Sequence, residues 1–143
     1  MRRTFYGVAL AAVLATAGSG TALAQAGLLT GGATKLEPPL KLSAGQPLAE
    51  APYALDAGKY YELEIEADGS QELAISGPSF FRNVWVDEIV INDIEVRPLG
   101  IDSLEFDDEG TASISFVTIK PGMLELRISG TTSERQRAVF NVK

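Results

Sequence analysis

The stretch Tyr53 to Asp68 reads Y-A-L-D-A-G-K-Y-Y-E-L-E-I-E-A-D, and its second half decides the fold. From Tyr61 the residues alternate: Tyr61, Leu63, Ile65 and Ala67 share one parity, Glu62, Glu64 and Glu66 the other. Side chains in a strand switch face at every residue, so this spacing predicts a half-buried strand with one wet, acidic face. A helix would gather Glu62, Leu63, Glu66 and Ala67 on one stripe, which is not amphipathic.

The same alternation recurs along the chain. Asp56 to Lys59 predicts the turn that launches this strand. Asp68-Gly69-Ser70 is expected to end it and to fold it into a hairpin with Gln71 to Ser76, because Gly tolerates the positive φ of such turns. Leu73 and Ile75 then point inward. Upstream, Pro38-Pro39 confines any strand near Leu40 and Leu42 to a sheet edge, since proline has no N–H to donate. Asn83 to Val96 is β-rich, but its apolar parity slips between Val84, Val86 and Ile89, Ile91. A bulge near Asp87-Glu88 would explain the slip, as would two separate short pieces.

Ser103 to Phe106 reads as a short strand. Ala112, Ile114 and Phe116 alternate; so do Leu124, Leu126 and Ile128 beyond the Lys120-Pro121-Gly122 turn, and Ala138, Phe140 and Val142 close the chain. Short strands with regular turn signals and no helical stripe predict an all-β Greek-key sandwich or barrel. Its inward residues are expected to be Leu42, Leu55, Tyr61, Leu63, Ile65, Leu73, Ile75, Ile114, Phe116, Leu124, Leu126, Ile128, Phe140 and Val142.

Residues 1–24 are read as a cleaved signal peptide: Arg2-Arg3, an apolar run from Val8 to Ala17, and Ala22-Leu23-Ala24 as the cleavage site. The apolar run is too short to anchor in a bilayer. The general export route is favoured over the twin-arginine route that Arg2-Arg3 loosely suggests. Residues 25–35 are read as a flexible lead-in and 36–143 as one domain. A periplasmic or secreted location follows. The net charge is −7 before cleavage, and the segment removed carries two Arg and no acid. Such a surface argues against nucleic acid and against anionic membranes.

The chain has no Cys and no His. It therefore has no disulfide, no thiolate or imidazole ligand, and no Ser–His or Cys nucleophile. No enzyme activity and no cofactor are expected.

Several segments, in order, resemble bacterial cupredoxins. Ala57-Gly58-Lys59-Tyr60-Tyr61 is similar to their AGxxYxLxI strand, and Phe80-Phe81 falls where a P-x-F-F segment stands. Thr118-Ile119-Lys120-Pro121-Gly122-Met123-Leu124-Glu125-Leu126 is similar to their Pro-Gly hairpin. The resemblance spans about Leu40 to Lys143. It implies the sandwich fold and a periplasmic setting. It also implies a copper site held by an upstream His, near Gln71 here, and by Cys, His and Met, near Ile128 and in Gly130 to Gln136. None of those ligands is present at these positions, so a type I copper site is not expected.

Two candidate sites remain. Phe80, Phe81, Arg82 and Trp85 combine aromatics with a cation outside the regular alternation, and such residues favour binding hot spots. They are the expected surface for a partner, another periplasmic protein, although a satellite core at one end of the barrel would also account for them. Asp102, Glu105, Asp107, Asp108 and Glu109 are the densest carboxylate group. A solvated turn is the first reading, and oxygen ligands for a metal ion such as calcium the alternative. Arg127, Arg135 and Arg137 are expected near Glu62, Glu64 and Glu66.

Overall fold

The computed structural model describes residue 29 and residues 31–143; the signal-peptide reading and most of the lead-in lie outside them. Two five-stranded sheets face one another. The first has the order β1 (Thr34–Leu42), β3 (Tyr60–Ala67), β8 (Gly110–Thr118), β5 (Val84–Ile91), β6 (Ile94–Val96). The second has β2 (Tyr53–Leu55), β10 (Arg137–Val142), β9 (Gly122–Ile128), β4 (Leu73–Ser76), β7 (Ser103–Phe106). Both are mixed, because β1 runs parallel to β3 and β2 parallel to β10. A four-residue helix, α1 (Pro78–Phe81), links β4 to β5, and a 3-10 turn (Glu134–Gln136) precedes β10. No helix among the described residues is long and apolar enough to cross a membrane.

The strand built on Tyr61, Leu63 and Ile65 sits inside the first sheet, with those three side chains buried and Glu62, Glu64 and Glu66 on the outer face. Every residue expected inward is buried except Leu73, which is half-buried. The core also takes Leu36, Leu40, Leu48, Tyr53, Val84, Val86 and Ile89. The parity slip in β5 is a bulge: the register with β8 shifts between Val86 and Glu88, and the strand continues to Ile91.

Three expectations are corrected. Asp68-Gly69-Ser70 does not make a hairpin. Gly69 has φ 67°, as a tight turn requires, but the chain crosses there from β3 in one sheet to β4 in the other. The strand partners of β3 are β1 and β8. Second, β1 begins at Thr34, so Thr34 and Lys35 pair with Tyr61 and Glu62 instead of belonging to a lead-in. Pro38 and Pro39 lie inside this edge strand, where the register with β3 shifts between Leu36 and Leu40. Third, Arg127 and Arg137 lie on the second sheet and pair with Glu125 and Glu134; the acids of β3 are met instead by Lys35 on Glu64 and Lys41 on Glu66.

Candidate functional site

The aromatic segment is shaped by how the chain leaves β4. Gly77 lies so close to β9 that a Cβ there would overlap the Glu125 carbonyl and stand 2.7 Å from Leu126 Cδ2. Pro78, with its preset φ and no N–H to satisfy, starts α1, and the N–H groups of Phe80 and Phe81 both donate to the Gly77 carbonyl at 2.9 Å. Ser79 fastens the turn to β9: its hydroxyl donates to the Glu125 carbonyl at 3.3 Å and accepts from the Glu125 N–H at 3.0 Å.

This geometry divides the four expected partner residues. Phe80 is wholly buried, with its ring 5.0 Å from Phe116 and 4.8 Å from Phe140, so it belongs to the main core and is withdrawn from any partner surface. Phe81 is half-buried, edge-on to Phe80 at 5.4 Å. Arg82 is exposed and Trp85 is 48% exposed. Trp85 stands on the outer face of the first sheet, opposite Val117 in the β5–β8 register. A groove of about 170 Å³ runs between Phe81, Trp85 and the Pro98–Ile101 loop.

Exposed apolar residues that the pattern reading passed over join this end. Ile119 and Met123, 61% and 65% exposed, flank the Pro-Gly turn, and Leu99 projects fully into solvent. The turn is tied to α1 and to the β2–β3 turn by backbone hydrogen bonds, Ile119 N–H to the Asn83 carbonyl at 3.0 Å and Gly58 N–H to the Thr118 carbonyl at 2.7 Å. The signal was an apolar residue at each turn position, where polar residues are usual.

The acidic set is also divided. Glu105 and Asp107 converge with Glu72, each offering a carboxylate oxygen within 4.8 Å of the others, all three exposed. Glu72 enters because β4 pairs with β7 in the register Leu73 to Phe106, which sequence alone does not display. The Glu105 carboxyl, and the charge of Glu105 and then Asp107, raise the Glu72 pKa. Asp102 lies at the far end of β7, beside Ser103 and its partner Ser76. Asp108 turns back to accept the Glu109 N–H at 2.8 Å. The five acids therefore do not form one site.

At the positions where the resemblance expects copper ligands, Gln71 is exposed and Ile128 is buried beside Ile75. The following loop satisfies itself, with the Thr131 hydroxyl donating to Gln136 Oε1 at 2.7 Å. A cleft of about 540 Å³ opens nearby between Lys41, Ser43, Pro47 and Asp68. Two of its polar groups are engaged within the fold: Lys41 with Glu66, and Asp68 with the hydroxyls of Ser43 and Ser70, which hold its pKa at about 2.

No protein-family model matches the chain, and no curated protein matches it. Solved structures do. The copper nitrite reductase from Nitrosomonas europaea matches with TM-score 0.53 and 12% identity over 66% of this chain and 33% of that one. The multi-copper oxidase from Pseudomonas Thermotolerans matches with TM-score 0.51 and 18% identity over 66% of this chain and 23% of that one. The chain thus spans a third or less of the length of these copper proteins. At such identities the likeness is one of fold, and the two mixed sheets define a cupredoxin-like β-sandwich.

Proposed function

We propose that the chain is an exported, non-enzymatic accessory module that carries the cupredoxin-like sandwich without a type I copper site and works by holding another protein. Donor chemistry carries this reading. Copper of that type needs a thiolate and imidazoles, and the sequence contains neither Cys nor His. Ile128, near which the resemblance to cupredoxins puts the thiolate, is an apolar residue only 3% exposed. The copper enzymes of like fold keep their own chemistry; what this chain shares with them is the scaffold.

Titration of the purified protein with copper(II) tests the first half, followed by calorimetry and visible absorption. The expected result is no intense thiolate–copper band and no binding tighter than millimolar; tight binding would overturn the reading. Cross-linking in a periplasmic extract tests the second half, and a protein recovered always alone would count against it.

A second reading rests on the convergence of Glu72, Glu105 and Asp107. Clustered carboxylate oxygens suit a hard cation such as calcium. Calcium affinity that falls when Glu105→Gln and Asp107→Asn are introduced would favour it, and affinity unchanged by them would end it.

A further inference from the structure

The cations of this acidic protein are sorted by position. Among the described residues, Lys35, Lys41, Arg97, Arg127 and Arg137 sit in ion pairs on the outer faces of the sheets. Lys59, Arg82, Lys120, Arg135 and Lys143 do not. All of these but Arg135 lie at one end of the sandwich. Backbone hydrogen bonds place them there: Thr118 N–H donates to the Lys59 carbonyl at 3.2 Å, Ile119 N–H to the Asn83 carbonyl, and Ala57 N–H to the Lys143 carbonyl at 2.8 Å. The same end carries Trp85, Leu99, Ile119 and Met123 as its exposed large apolar side chains. Asp56, before the β2–β3 turn, and Asp102, before β7, lie at this end too, and Asp87 is close by, accepting from the Tyr60 hydroxyl at 2.9 Å. The opposite end gathers Asp68, Glu72, Glu105, Asp107, Asp108 and Glu109 around the β3–β4 and β7–β8 turns.

Exposed apolar side chains mark interaction surfaces when they gather, and Trp and Arg are the side chains that most often dominate such contacts. An ion pair already made on the surface has little left to offer a partner, whereas a cation without one keeps its full attraction for an incoming carboxylate. We infer that the end formed by α1, the Pro-Gly turn and the Pro98–Ile101 loop is a docking surface for an acidic protein segment with interleaved apolar residues. Its apolar side chains enter the Phe81–Trp85–Leu99 groove, and its carboxylates meet Arg82, Lys120 and Lys59. The inference rests on the partner-holding role proposed above and supplies the partner's chemistry. An anionic membrane fits less well, because the net charge of −7 repels the rest of the molecule from such a surface. A second copy, bringing its acidic end to this one, would make a head-to-tail contact, which yields a ring or an open filament instead of a closed pair.

Trp85 is the sole tryptophan, so its emission reports this surface alone. The probes are a synthetic peptide alternating Glu with Phe and Leu, and its counterpart with Lys in place of Glu. The Glu peptide is expected to shift Trp85 emission to the blue, with an affinity that weakens as salt is added. The Arg82→Glu, Lys120→Glu double variant changes two exposed residues without ion pairs and is expected to weaken the affinity about tenfold. Glu109→Lys at the other end, outside the Glu72–Glu105–Asp107 group, is expected to leave it unchanged. Equal binding of the Lys peptide, no emission shift with the Glu peptide, or indifference to the double variant would overturn the inference. So would a shift produced instead by phosphatidylglycerol vesicles. A shift that follows protein concentration alone and vanishes in Glu109→Lys would assign the surface to a second copy and overturn it equally. Tight copper binding would sink the proposed function and leave the Trp85 titration standing. A silent Trp85 in a protein that cross-links elsewhere would sink only this inference.

Discussion

At the scale of single residues, the sandwich is closed by a few polar contacts between otherwise apolar layers. Tyr53 belongs to the second sheet, yet its hydroxyl donates to the Pro38 carbonyl in the first at 2.5 Å while its ring stacks on Phe140 at 5.0 Å. Burial is the main reason its pKa rises to about 12. Tyr53→Phe keeps the stacking and leaves the Pro38 carbonyl without this donor, so denaturant unfolding should show a loss of about 1 kcal/mol. Gly77 is needed for space and not for its φ, which is extended. Gly77→Ala should cost about 1–3 kcal/mol, because the Glu125 carbonyl it would meet is backbone and cannot swing aside. Phe80 teaches the limit of residue-level reading. Its neighbours in sequence break the alternation, which looks like a surface loop. Only the docking of α1 on β9 turns that ring into the core.

At the scale of elements, alternation located the strands well and pairing badly. β3, β9 and β10 alternate cleanly, and their apolar parity is the buried one; β8 alternates only as far as Ile114, beyond which Ser115, Phe116, Val117 and Thr118 are all buried. The Asp68-Gly69 turn misled because a positive φ reports local geometry, while the choice of sheet is made by partners distant in sequence. The tie between Glu72 and β7 was hidden for the same reason. The β5 bulge was legible because an inserted residue flips the parity of everything after it. It sets Asp87 and Glu88 together, and Arg97 from beyond β6 reaches both, at 3.0 and 2.9 Å. Arg97→Ala should destabilise the protein by about 1 kcal/mol at neutral pH and by less in high salt. Asn92 and Asp93 join β5 to β6 with φ of 49° and 62°. Glycine adopts that conformation without the Cβ penalty, so Asp93→Gly should raise the free energy of unfolding, read from urea denaturation, by about 0.5–1 kcal/mol.

At the scale of the whole molecule, the charge distribution sets how stability answers to pH. Hydrogen bonds from Ser43 and then Ser70 lower the Asp68 pKa to about 2, against about 4 for a free carboxyl. A depressed folded-state value favours the fold above the unfolded pKa, and the contribution fades as pH falls from about 4 through about 2. Asp68→Asn should therefore lower stability at neutral pH, with the difference from the parent closing near pH 2. Glu72 carries the opposite sign. Its raised pKa means the fold binds that proton more tightly than the unfolded chain, so stability is lost as pH rises through the shifted value. Glu72→Gln should remove this loss, and urea unfolding at neutral pH would show the variant equal to or above the parent. None of this was legible in composition, which gives the sum of charges but not their neighbours.

The proline pair in β1 has a consequence beyond packing. A sandwich has four open borders, and a bare backbone border can recruit another chain and grow. Here β2, β6 and β7 are only three or four residues long, and the one long border is interrupted where Pro38 and Pro39 supply no amide hydrogen. Replacing both prolines with valine would give an incoming strand further donors along this border, and the variant is expected to form fibrils faster than the parent when fibre-dye fluorescence of the two is followed side by side.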